Sequence, residues 1–306
     1  MAQARGSRQI GLANWTMAIA TRDPSATQLR SLTGEEMAKW RRERGARLVR
    51  HQGHFWEMVK WGFYQPIHEL ARLRADEATR PTSLCWGYRA VLREEDGAAA
   101  NAAYRVRMAN NLPGYDMASL PSKRRNSLRV CQRRVEIVEV LDPRFLEEGD
   151  AYSAYVSALK RTGGEWAVSH ALLRRDEFAV HIEKEVRPDL GIVLAGRIGR
   201  KVGGYLTAHA VDGTAYINSV ILATEALPTN IGTGLVFEFM QTCRRSERIR
   251  EVCYGPDTPG DVPLSRFKEG MGFSVVSFRA RVGMPPGMKS LIRWRRPGAY
   301  YRLFGK

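Results

Sequence analysis

The stretch PTNIGTGLVFEFM, residues 228–240, places two glycines one residue apart directly before a run of apolar residues. The apolar side chains share one face at helical spacing, which predicts an amphipathic helix over residues 232–246. The first N–H groups of a helix have no acceptor within it and lie at the positive end of its dipole, so they favour an anion. Gly232 and Gly234 carry no side chain that would keep a phosphate away. The stretch is therefore either an ordinary helix entry or a cradle for phosphate groups.

The elements around this loop favour the cradle. Before the loop, the sequence predicts a strand, two helices over residues 143–162 and 169–186, and a meander of three strands. Ser169 is the candidate cap of the second helix, and Asp212-Gly213 marks a tight turn in the meander. A strand, a short helix and a last strand follow the loop. The strands are VEIVEV, GIVLAGRI, VGGYLTAHAV, TAYINSVIL, REVCYGP and FSVVSFRARV, and the short helix is PLSRFKEGMG.

This order of elements, with the glycine loop in that place and LSRFKEGMGF after it, resembles the GNAT superfamily, the Gcn5-related N-acetyltransferases, over about residues 120–285. The donor motif of the family, Arg or Gln, two residues, Gly, one residue, and Gly or Ala, falls on Thr229, Gly232 and Gly234. Thr229 departs from the motif because it lacks a long polar side chain. SKRRNSLR and FKEGMGF also resemble the Fem-type aminoacyl transferases and related two-lobed GNAT proteins. The resemblance implies an α/β (α+β) fold, with helices flanking a mixed, mostly antiparallel sheet.

The loop NNLPGYD, residues 110–116, combines Asn-Asn with Pro-Gly and predicts a domain boundary. Three regions result: an N-terminal α+β lobe over 1–115, an acyltransferase domain over 116–285, and a basic aromatic tail over 286–306 that lies on the domain surface. By resemblance, the N-terminal lobe is a smaller, degenerate GNAT unit that helps to form the acceptor cleft.

Two stretches of the N-terminal lobe carry further predictions. HFWEMVKWGFYQPIHEL, residues 54–70, places Phe55, Val59 and Phe63 at helical spacing, which favours a buried helical face over a base-stacking platform. SLCWGYRAVLRE and AAYRVRMAN, separated by the turn-rich EEDGAAAN, predict the two strands of a hairpin. In the second strand, Arg105 and Arg107 alternate with apolar residues, as is typical of a half-exposed strand.

The resemblance also implies where a donor binds. Backbone donors near Val220, Ile221 and Leu222 would face the thioester or ester carbonyl and form an oxyanion site. The phosphates of an acyl-CoA, acetyl-CoA or a longer one, would lie at the glycine loop. The residues of that loop are Thr229, Asn230, Ile231, Gly232, Thr233 and Gly234.

Three residues are candidates for catalytic roles. Lys268 matches the place of a Lys in Fem-type enzymes, where it would stabilise the leaving group or hold a donor phosphate; a solvated lysine is the alternative. Tyr254, at the end of a strand, is a candidate acid or a core aromatic. His209, one strand before TAYINSVIL, is a candidate base or a structural histidine. TAYINSVIL itself contains no carboxylate to act as the base.

The charge balance points to anionic partners. Lys and Arg outnumber Asp and Glu by 48 to 32, a net charge of +16, which favours phosphates or nucleic acid, or else a basic surface that serves solubility. The segment 123–134 contains six basic residues and no acid. Arg124 and Arg125 are therefore candidates for substrate binding, and in an aminoacyl-tRNA-dependent enzyme they would contact tRNA phosphates.

Cysteine spacing and hydropathy set the remaining expectations. The four cysteines show no CxxC spacing and are expected to be reduced thiols. The N-terminal segment lacks a secretory apolar region, and no window approaches the ~18 apolar residues of a spanning helix, so a cytoplasmic location is expected. HQGH, residues 51–54, has no further ligand nearby in the sequence, so no metal is expected.

Three hypotheses about function follow. The first is an N-acyltransferase that moves an acyl group from acyl-CoA to a small or peptidic amine by direct attack in a ternary complex. The second is a Fem-type transferase that uses an aminoacyl-tRNA as its donor. The third is a catalytically silent GNAT-like module that binds nucleic acid or an acidic partner, which Thr229 and the missing carboxylate support.

Overall fold

A computed structural model describes residues 21–162, 173–258 and 260–305 of the chain. The strands in these ranges are β1 (Thr21–Arg22), β2 (Ser31–Leu32), β3 (Leu48–His51), β4 (His54–Lys60), β5 (Phe63–Pro66), β6 (Arg72–Leu73), β7 (Gly87–Leu92), β8 (Ala102–Ala109), β9 (Glu136–Val140), β10 (Ile192–Ile198), β11 (Lys201–Val211), β12 (Thr214–Leu222), β13 (Glu251–Pro256) and β14 (Ser274–Gly283). The helices are α1 (Gly34–Glu43), α2 (Ser122–Arg134), α3 (Arg144–Glu148), α4 (Ala151–Thr162), α5 (Arg175–Glu185), α6 (Ile231–Arg245), α7 (Val262–Gly270), α8 (Met288–Arg295) and α9 (Pro297–Phe304). Short 3-10 turns lie at Pro24–Ala26, Gly97–Ala99 and Thr224–Thr229.

These elements belong to two compact units. The first unit takes the described residues up to Arg30, together with those of Asn111–His209 and Ile217–Ile249. The second unit consists of the described residues of Ser31–Asn110, Ala210–Tyr216 and Arg250–Lys306. The second unit thus combines chain from before and after the loop at 110–116. The division into regions 1–115, 116–285 and 286–306 stays a prediction.

The sheet of the first unit contains the predicted meander. β9 pairs antiparallel with both β1 and β10, and β10 pairs antiparallel with β11, with Leu194 opposite Leu206. On the faces of the strands lie buried apolar side chains from the helices, including Leu146, Tyr155 and Phe178. This burial explains why the periodic segments between β9 and β10 form helices.

The two helices predicted between β9 and β10 differ from the observed ones in their boundaries. The segment 143–162 forms two helices because the chain turns at Gly149 and at Asp150, whose φ of 55° is left-handed. A side chain at position 149 would meet Val202 at 2.5 Å, so the turn needs a glycine there. α5 begins at Arg175 after an N-terminal cap at Arg174. The predicted cap, Ser169, lies outside the described residues.

In the second unit β14 lies between two strands that the sequence predicts to be a hairpin. Ser274 pairs with Met108 of β8, and Ala280 pairs with Val91 of β7, both in antiparallel register. The prediction of the strands β7 and β8 is confirmed, whereas their pairing as a hairpin is wrong. Two strands that are both antiparallel to a third run parallel to each other, so β7 and β8 cannot form a hairpin.

The predicted buried helix over residues 54–70 is also wrong. This segment forms β4 and β5, which pair antiparallel around a turn at Trp61 and Gly62. Val59, predicted on the buried face, is exposed. The aromatic and β-branched residues of this segment suit a strand, and the four-residue spacing of Phe55, Val59 and Phe63 is coincidental.

The turn between β11 and β12 follows the prediction. Asp212 and Gly213 have φ of 49° and 87°, the left-handed pair that a tight hairpin needs. Across both units most strand pairs are antiparallel, and parallel pairs occur between β12 and β13, β5 and β7, β6 and β7, and β2 and β11. The predicted class, a mixed and mostly antiparallel sheet flanked by helices, is confirmed.

The C-terminal tail forms two helices, α8 and α9. Tyr300 and Phe304 of α9 are buried against Val282 of β14, with their rings stacked 4.8 Å apart. The tail is therefore packed onto the second unit by its aromatic residues, while its basic side chains stay largely at the surface.

Candidate functional site

The glycine loop begins where β12 ends. A 3-10 turn over Thr224–Thr229 follows the strand, and Asn230 then adopts a left-handed conformation with φ of 59°. Asparagine tolerates this conformation better than most residues, which explains its place in the loop. α6 begins at the next residue, Ile231, one residue before its predicted start.

The first two N–H groups of α6 are not used by the described backbone. The N–H groups of Thr233 and Gly234 both donate to the carbonyl of Asn230, at 2.9 and 3.3 Å. Those of Ile231 and Gly232 have no acceptor among the described residues. α6 has 15 residues and is buried over most of its length, so the positive end of its dipole is little screened by water. Two unused donors at such a place can hold a phosphate or an oxyanion.

The two glycines of the loop have a packing reason of their own. A Cβ at Gly232 would lie 2.8 Å from Cδ1 of Leu222, at the end of β12. A Cβ at Gly234 would overlap Sγ of Cys131 in α2 and would lie 2.8 Å from Cδ1 of Ile137 in β9. The glycines therefore let α6 approach β12 and α2. From the sequence, both glycines were attributed to the close approach of a phosphate. Their packing role could not be predicted, because the sequence does not show which side chains lie next to them.

Thr229 is engaged within the loop. Its hydroxyl donates to the carbonyl of Ala226 at 2.7 Å, which closes the 3-10 turn. In this position Thr229 stabilises the turn before α6, a role that suits its short side chain. Its predicted contact with a donor stays a prediction.

The end of β12 is held by α4. Nη1 of Arg161 donates to the carbonyl of Leu222 at 2.9 Å and to the hydroxyl of Thr224 at 3.0 Å. The N–H of Thr224 donates to Oγ of Ser157 at 2.9 Å. These bonds fix the chain directly after Val220–Leu222, the predicted oxyanion segment. Sequence reasoning missed both α4 residues, since nothing in α4 indicates that it faces the end of β12.

A pocket of about 640 Å³ opens beside these contacts in the first unit. Its lining combines cationic groups, hydroxyls and one aromatic ring, from Tyr152, Ser153, Val156, Ser157, Lys160, Arg161, Arg175 and Thr224. Nη2 of Arg175 forms an ion pair with Asp150 at 3.0 Å, and its guanidinium lies 4.9 Å from the ring of Tyr152. Because three of the lining residues are basic, the pocket suits an anionic or strongly polar ligand.

Lys268 and Tyr254 meet in the second unit. Nζ of Lys268 donates to the backbone carbonyl of Tyr254 at 2.6 Å and lies 4.5 Å from the centre of its ring. Burial of Lys268 lowers the pKa of its ammonium group to about 8. Burial also raises the pKa of the Tyr254 hydroxyl. Lys268 is thus a buried lysine, contrary to the alternative of a solvated one.

Arg107, Asp257 and Glu269, the residue after Lys268, form an ion-pair network that the sequence did not indicate. Nε of Arg107 bonds to Oδ1 of Asp257 at 2.9 Å, and its Nη1 bonds to Oε1 of Glu269 at 2.8 Å. The hydroxyl of Tyr301 donates to the other oxygen of Asp257 at 3.1 Å. Arg107 and Asp257 are both buried. The expectation of a half-exposed strand therefore fails at Arg107, because its charge is neutralised by the buried Asp257 and the exposed Glu269.

The remaining predicted residues occupy separate places. His209 is buried in β11, in the first unit, whereas Lys268 and Tyr254 belong to the second. Arg124 and Arg125 lie on α2, and both are only partly exposed. Nη1 of Arg125 donates to the carbonyl of Leu120 at 2.7 Å, so this residue stabilises the loop before α2. All these functional roles stay predictions.

Two features of the described chain bear on metals and membranes. Within the described ranges, no group of three or more His, Cys, Asp or Glu side chains is placed to hold a metal ion. No helix of the described chain is both long and apolar enough to cross a bilayer.

Comparison with known proteins defines the fold. Protein-family models and curated proteins give no match. Among solved structures, FemX has a TM-score of 0.57 at 9% identity, covering 96% of this chain and 100% of FemX. The chain has a GNAT-like, Fem-type two-lobed fold. This confirms the fold that the sequence resemblance implies.

Two further structures share this fold. The C-terminal domain assigned to a lysylphosphatidylglycerol synthetase from Agrobacterium fabrum has a TM-score of 0.55 at 12% identity, covering 88% of this chain and 92% of that domain. L-PGS from Bacillus licheniformis has a TM-score of 0.53 at 11% identity, covering 88% of this chain and 98% of that one. At such identities the likeness concerns the fold alone.

Proposed function

We propose that the protein transfers an acyl group, carried as an ester or thioester, to an amine, and that its donor is an aminoacyl-tRNA. The observation that carries the proposal is the start of α6, directly after β12 and its 3-10 turn. There the N–H groups of Ile231 and Gly232, two buried residues, have no acceptor among the described residues. Preorganised N–H groups at a helix start stabilise a phosphate or a developing oxyanion. Both candidate donors, aminoacyl-tRNA and acyl-CoA, require a site that stabilises a phosphate or an oxyanion.

Two observations favour an aminoacyl-tRNA over an acyl-CoA. The glycines of the loop are needed for packing against Leu222 and Cys131, so they are not by themselves a sign of a pyrophosphate site. On α2, four basic side chains are exposed, those of Lys123, Arg129, Arg133 and Arg134, and the helix contains no acid. Such a surface suits the phosphates of a nucleic acid. One similar structure is a domain assigned to a lysylphosphatidylglycerol synthetase, a name that implies transfer of a lysyl group and so agrees with aminoacyl transfer.

The residues of the chain would act mainly by positioning. Arg161 and Ser157 fix the end of β12, so that the N–H groups near Val220–Leu222 keep their direction during the reaction. The basic pocket beside Arg161 offers a place for an acidic or phosphorylated acceptor. Lys268 has N–H bonds beyond the one donated to Tyr254, so below pH 8 its ammonium could hold an anionic group at its own place in the second unit.

Acyl-CoA remains the second candidate donor. The specific observation in its favour is the same pair of N–H groups, because a pyrophosphate fits a helix start with two unused donors. The two donors make different predictions for salt. Binding of tRNA would weaken steeply as salt rises, since each phosphate contact releases counterions, whereas a CoA thioester carries only a few charges.

Ligand-induced thermal stabilisation of the full chain tests the proposal. The ligands are aminoacylated tRNA, the same tRNA after deacylation, acetyl-CoA and a long-chain acyl-CoA. We expect the largest stabilisation from aminoacylated tRNA, because a ligand that binds only the folded state raises its stability. Stabilisation by the acyl-CoAs alone would establish the second candidate. Stabilisation by both tRNA forms alike would indicate a binding module without transfer, and no response to any ligand would refute the proposal.

A charge variant sharpens the test for tRNA. Arg133→Gln with Arg134→Gln removes two exposed charges of α2, and we expect it to weaken tRNA binding and to lower the salt slope by about 1 to 2. The matched control is Lys184→Gln with Lys201→Gln, which removes two exposed charges elsewhere in the first unit. Equal losses in both variants would mean that only net charge matters, and α2 would not be the tRNA surface.

A further inference from the structure

One end of the sheet in the second unit gathers three segments of the chain. Phe63, at the start of β5, pairs with Gly87 at the start of β7. Tyr88, the next residue of β7, pairs with Gly283 at the end of β14. The β4–β5 turn, the loop before β7 and the segment leading into α8 therefore meet at this end, which we call the β7 end.

The β7 end exposes large apolar side chains that the protein does not bury. Trp61 in the β4–β5 turn is 83% exposed, and Leu84 in the loop before β7 is 85% exposed. The backbone around them is well held: the N–H of Trp86 donates to the carbonyl of Gly62 at 2.9 Å, and its indole N–H donates to the carbonyl of Trp61. Their exposure is therefore set by a fixed local structure.

α8 adds two further apolar side chains. Ile292 faces inward and packs on the cluster of Val282, Tyr300 and Phe304. Leu291 and Trp294, three residues apart and thus neighbours on the helix surface, are 46% and 75% exposed. α8 therefore carries apolar residues on both its inner and its outer face.

α8 also carries basic side chains that contact aromatic rings. Lys289 lies 4.9 Å from the ring of Phe304, and Arg293 lies 5.8 Å from the ring of Tyr300. Arg295 lies 5.3 Å from the ring of Trp294 itself. Arg295 is thus held beside the exposed Trp294, and Lys289 and Arg293 are held on the same short helix by the rings of α9.

The three segments of the β7 end contain no acid to balance these cations. Residues 58–68, 78–93 and 270–306 have no Asp or Glu at all. The last of these segments alone contains eight Lys and Arg residues. The β7 end is thus an apolar and positively charged surface, which is costly to leave in water and suits an anionic, partly apolar partner.

We infer that the β7 end docks on the surface of a bilayer that contains anionic lipid. Exposed Trp and Leu residues insert at the level of the lipid headgroups, and flanking Lys and Arg residues bind the negative surface. A nucleic acid would use the aromatic rings for stacking but gains little from Leu84 and Leu291. A second copy of this chain would bring another basic surface against this one. The apolar and cationic groups together favour the bilayer.

Sedimentation with phospholipid vesicles tests this inference without reference to catalysis. The full chain is mixed with vesicles of phosphatidylcholine alone, or of phosphatidylcholine with roughly a third phosphatidylglycerol. We expect strong binding only to the second kind. Lys289→Gln with Arg293→Gln should lower the partition coefficient by about fivefold for each charge removed. Leu291→Ser with Trp294→Ser, and separately Trp61→Ser with Leu84→Ser, should each lower it by roughly tenfold or more.

The matched control is Val180→Ser with Leu227→Ser, which removes two exposed apolar side chains of the first unit. It should bind vesicles as the parent does. Equal binding by the parent and by the Leu291→Ser, Trp294→Ser variant would overturn the inference, as would absence of binding to anionic vesicles. A variant that loses affinity for tRNA while keeping its affinity for vesicles would assign the surface to nucleic acid instead, and would also overturn it.

Discussion

The polar groups at the start of α6 and those around Arg107 differ in whether they are paired. At the start of α6, two N–H groups of the described backbone have no acceptor, although the residues that carry them are buried. Around Arg107, buried charges meet partners from β8, from the segment after β13 and from α7, with Tyr301 adding a further bond. Buried polar groups are normally paired, because an unpaired one costs free energy. The difference teaches that the first region has the unpaired donors that the proposed donor site requires, whereas the second uses its polar groups to hold the fold.

The largest expected effect breaks the network of the second region. Among the described residues, Asp257→Ala leaves the buried Arg107 with only the more exposed Glu269 as an ion-pair partner. Removing one member of a buried ion pair leaves an uncompensated charge, so we expect a loss of about 3 kcal/mol in the free energy of unfolding. Urea denaturation followed by circular dichroism measures it.

The control for this change is Asp76→Ala, which removes an exposed acid that pairs with Arg74 at 3.0 Å in the same unit. An exposed pair contributes little, so a change of about 0 to 1 kcal/mol is expected. If Asp257→Ala were as mild as this control, the network would not stabilise the second unit.

A second prediction concerns the packing of the glycines in the first region. Gly234→Ala places a methyl group against Cys131 and Ile137, and overpacking of this kind costs about 1 to 3 kcal/mol. Cys131→Ala in the same chain removes the sulfur atom that the methyl group meets. The double variant should therefore be more stable than the sum of the two single changes predicts.

Thermal or urea unfolding of the four proteins in this cycle gives the coupling energy. Strict additivity of the two changes would show that position 234 does not pack on Cys131. The close approach of a phosphate would then again be the better explanation for this glycine.

The third prediction uses pH to examine Lys268. The folded pKa of about 8 lies below the unfolded value of 10.5, so the unfolded chain binds more protons between these pH values. The contribution of Lys268 to the free energy of unfolding therefore rises with pH across that window, by at most about 1.4 kcal/mol per pH unit. This contribution is lowest below pH 8. The free energy of unfolding of the parent, measured relative to that of Lys268→Met, should therefore rise from pH 7.5 to about 10. Lys39→Met, at an exposed position in the same unit, is the control for the loss of one positive charge. A parallel Lys268→Met curve would contradict the lowered pKa.

Sequence reasoning succeeded where the relevant signals are local. The meander, α6 and the turn at Asp212-Gly213 follow from periodicity and from residues that tolerate a left-handed backbone. It failed where distant segments decide. β14 pairs between β7 and β8, and no short-range pattern shows such an insertion. The segment with Phe55, Val59 and Phe63 shows that one coincidence of spacing can be mistaken for a helix.

The candidate site divides in the same way. The position of the loop between β12 and α6 was predictable, because it depends on consecutive residues. The bonds of Arg161 to Leu222 and of Arg107 to Asp257 join residues 61 and 150 positions apart, and only the folded chain brings them together. The glycines show a subtler difficulty, since the sequence cannot distinguish a glycine needed for a ligand from one needed for a neighbouring side chain.

The most direct test of the account measures donor binding to Gly232→Pro and Gly232→Ala. Both substitutions place a Cβ near the flexible end of Leu222, and proline is tolerated in the first turn of a helix. Only the proline removes the N–H of residue 232. We predict that Gly232→Pro binds aminoacyl-tRNA or acyl-CoA roughly tenfold more weakly than Gly232→Ala, the effect of one hydrogen bond to a charged group. Equal affinities in two equally stable variants would contradict the assignment of the donor to the start of α6.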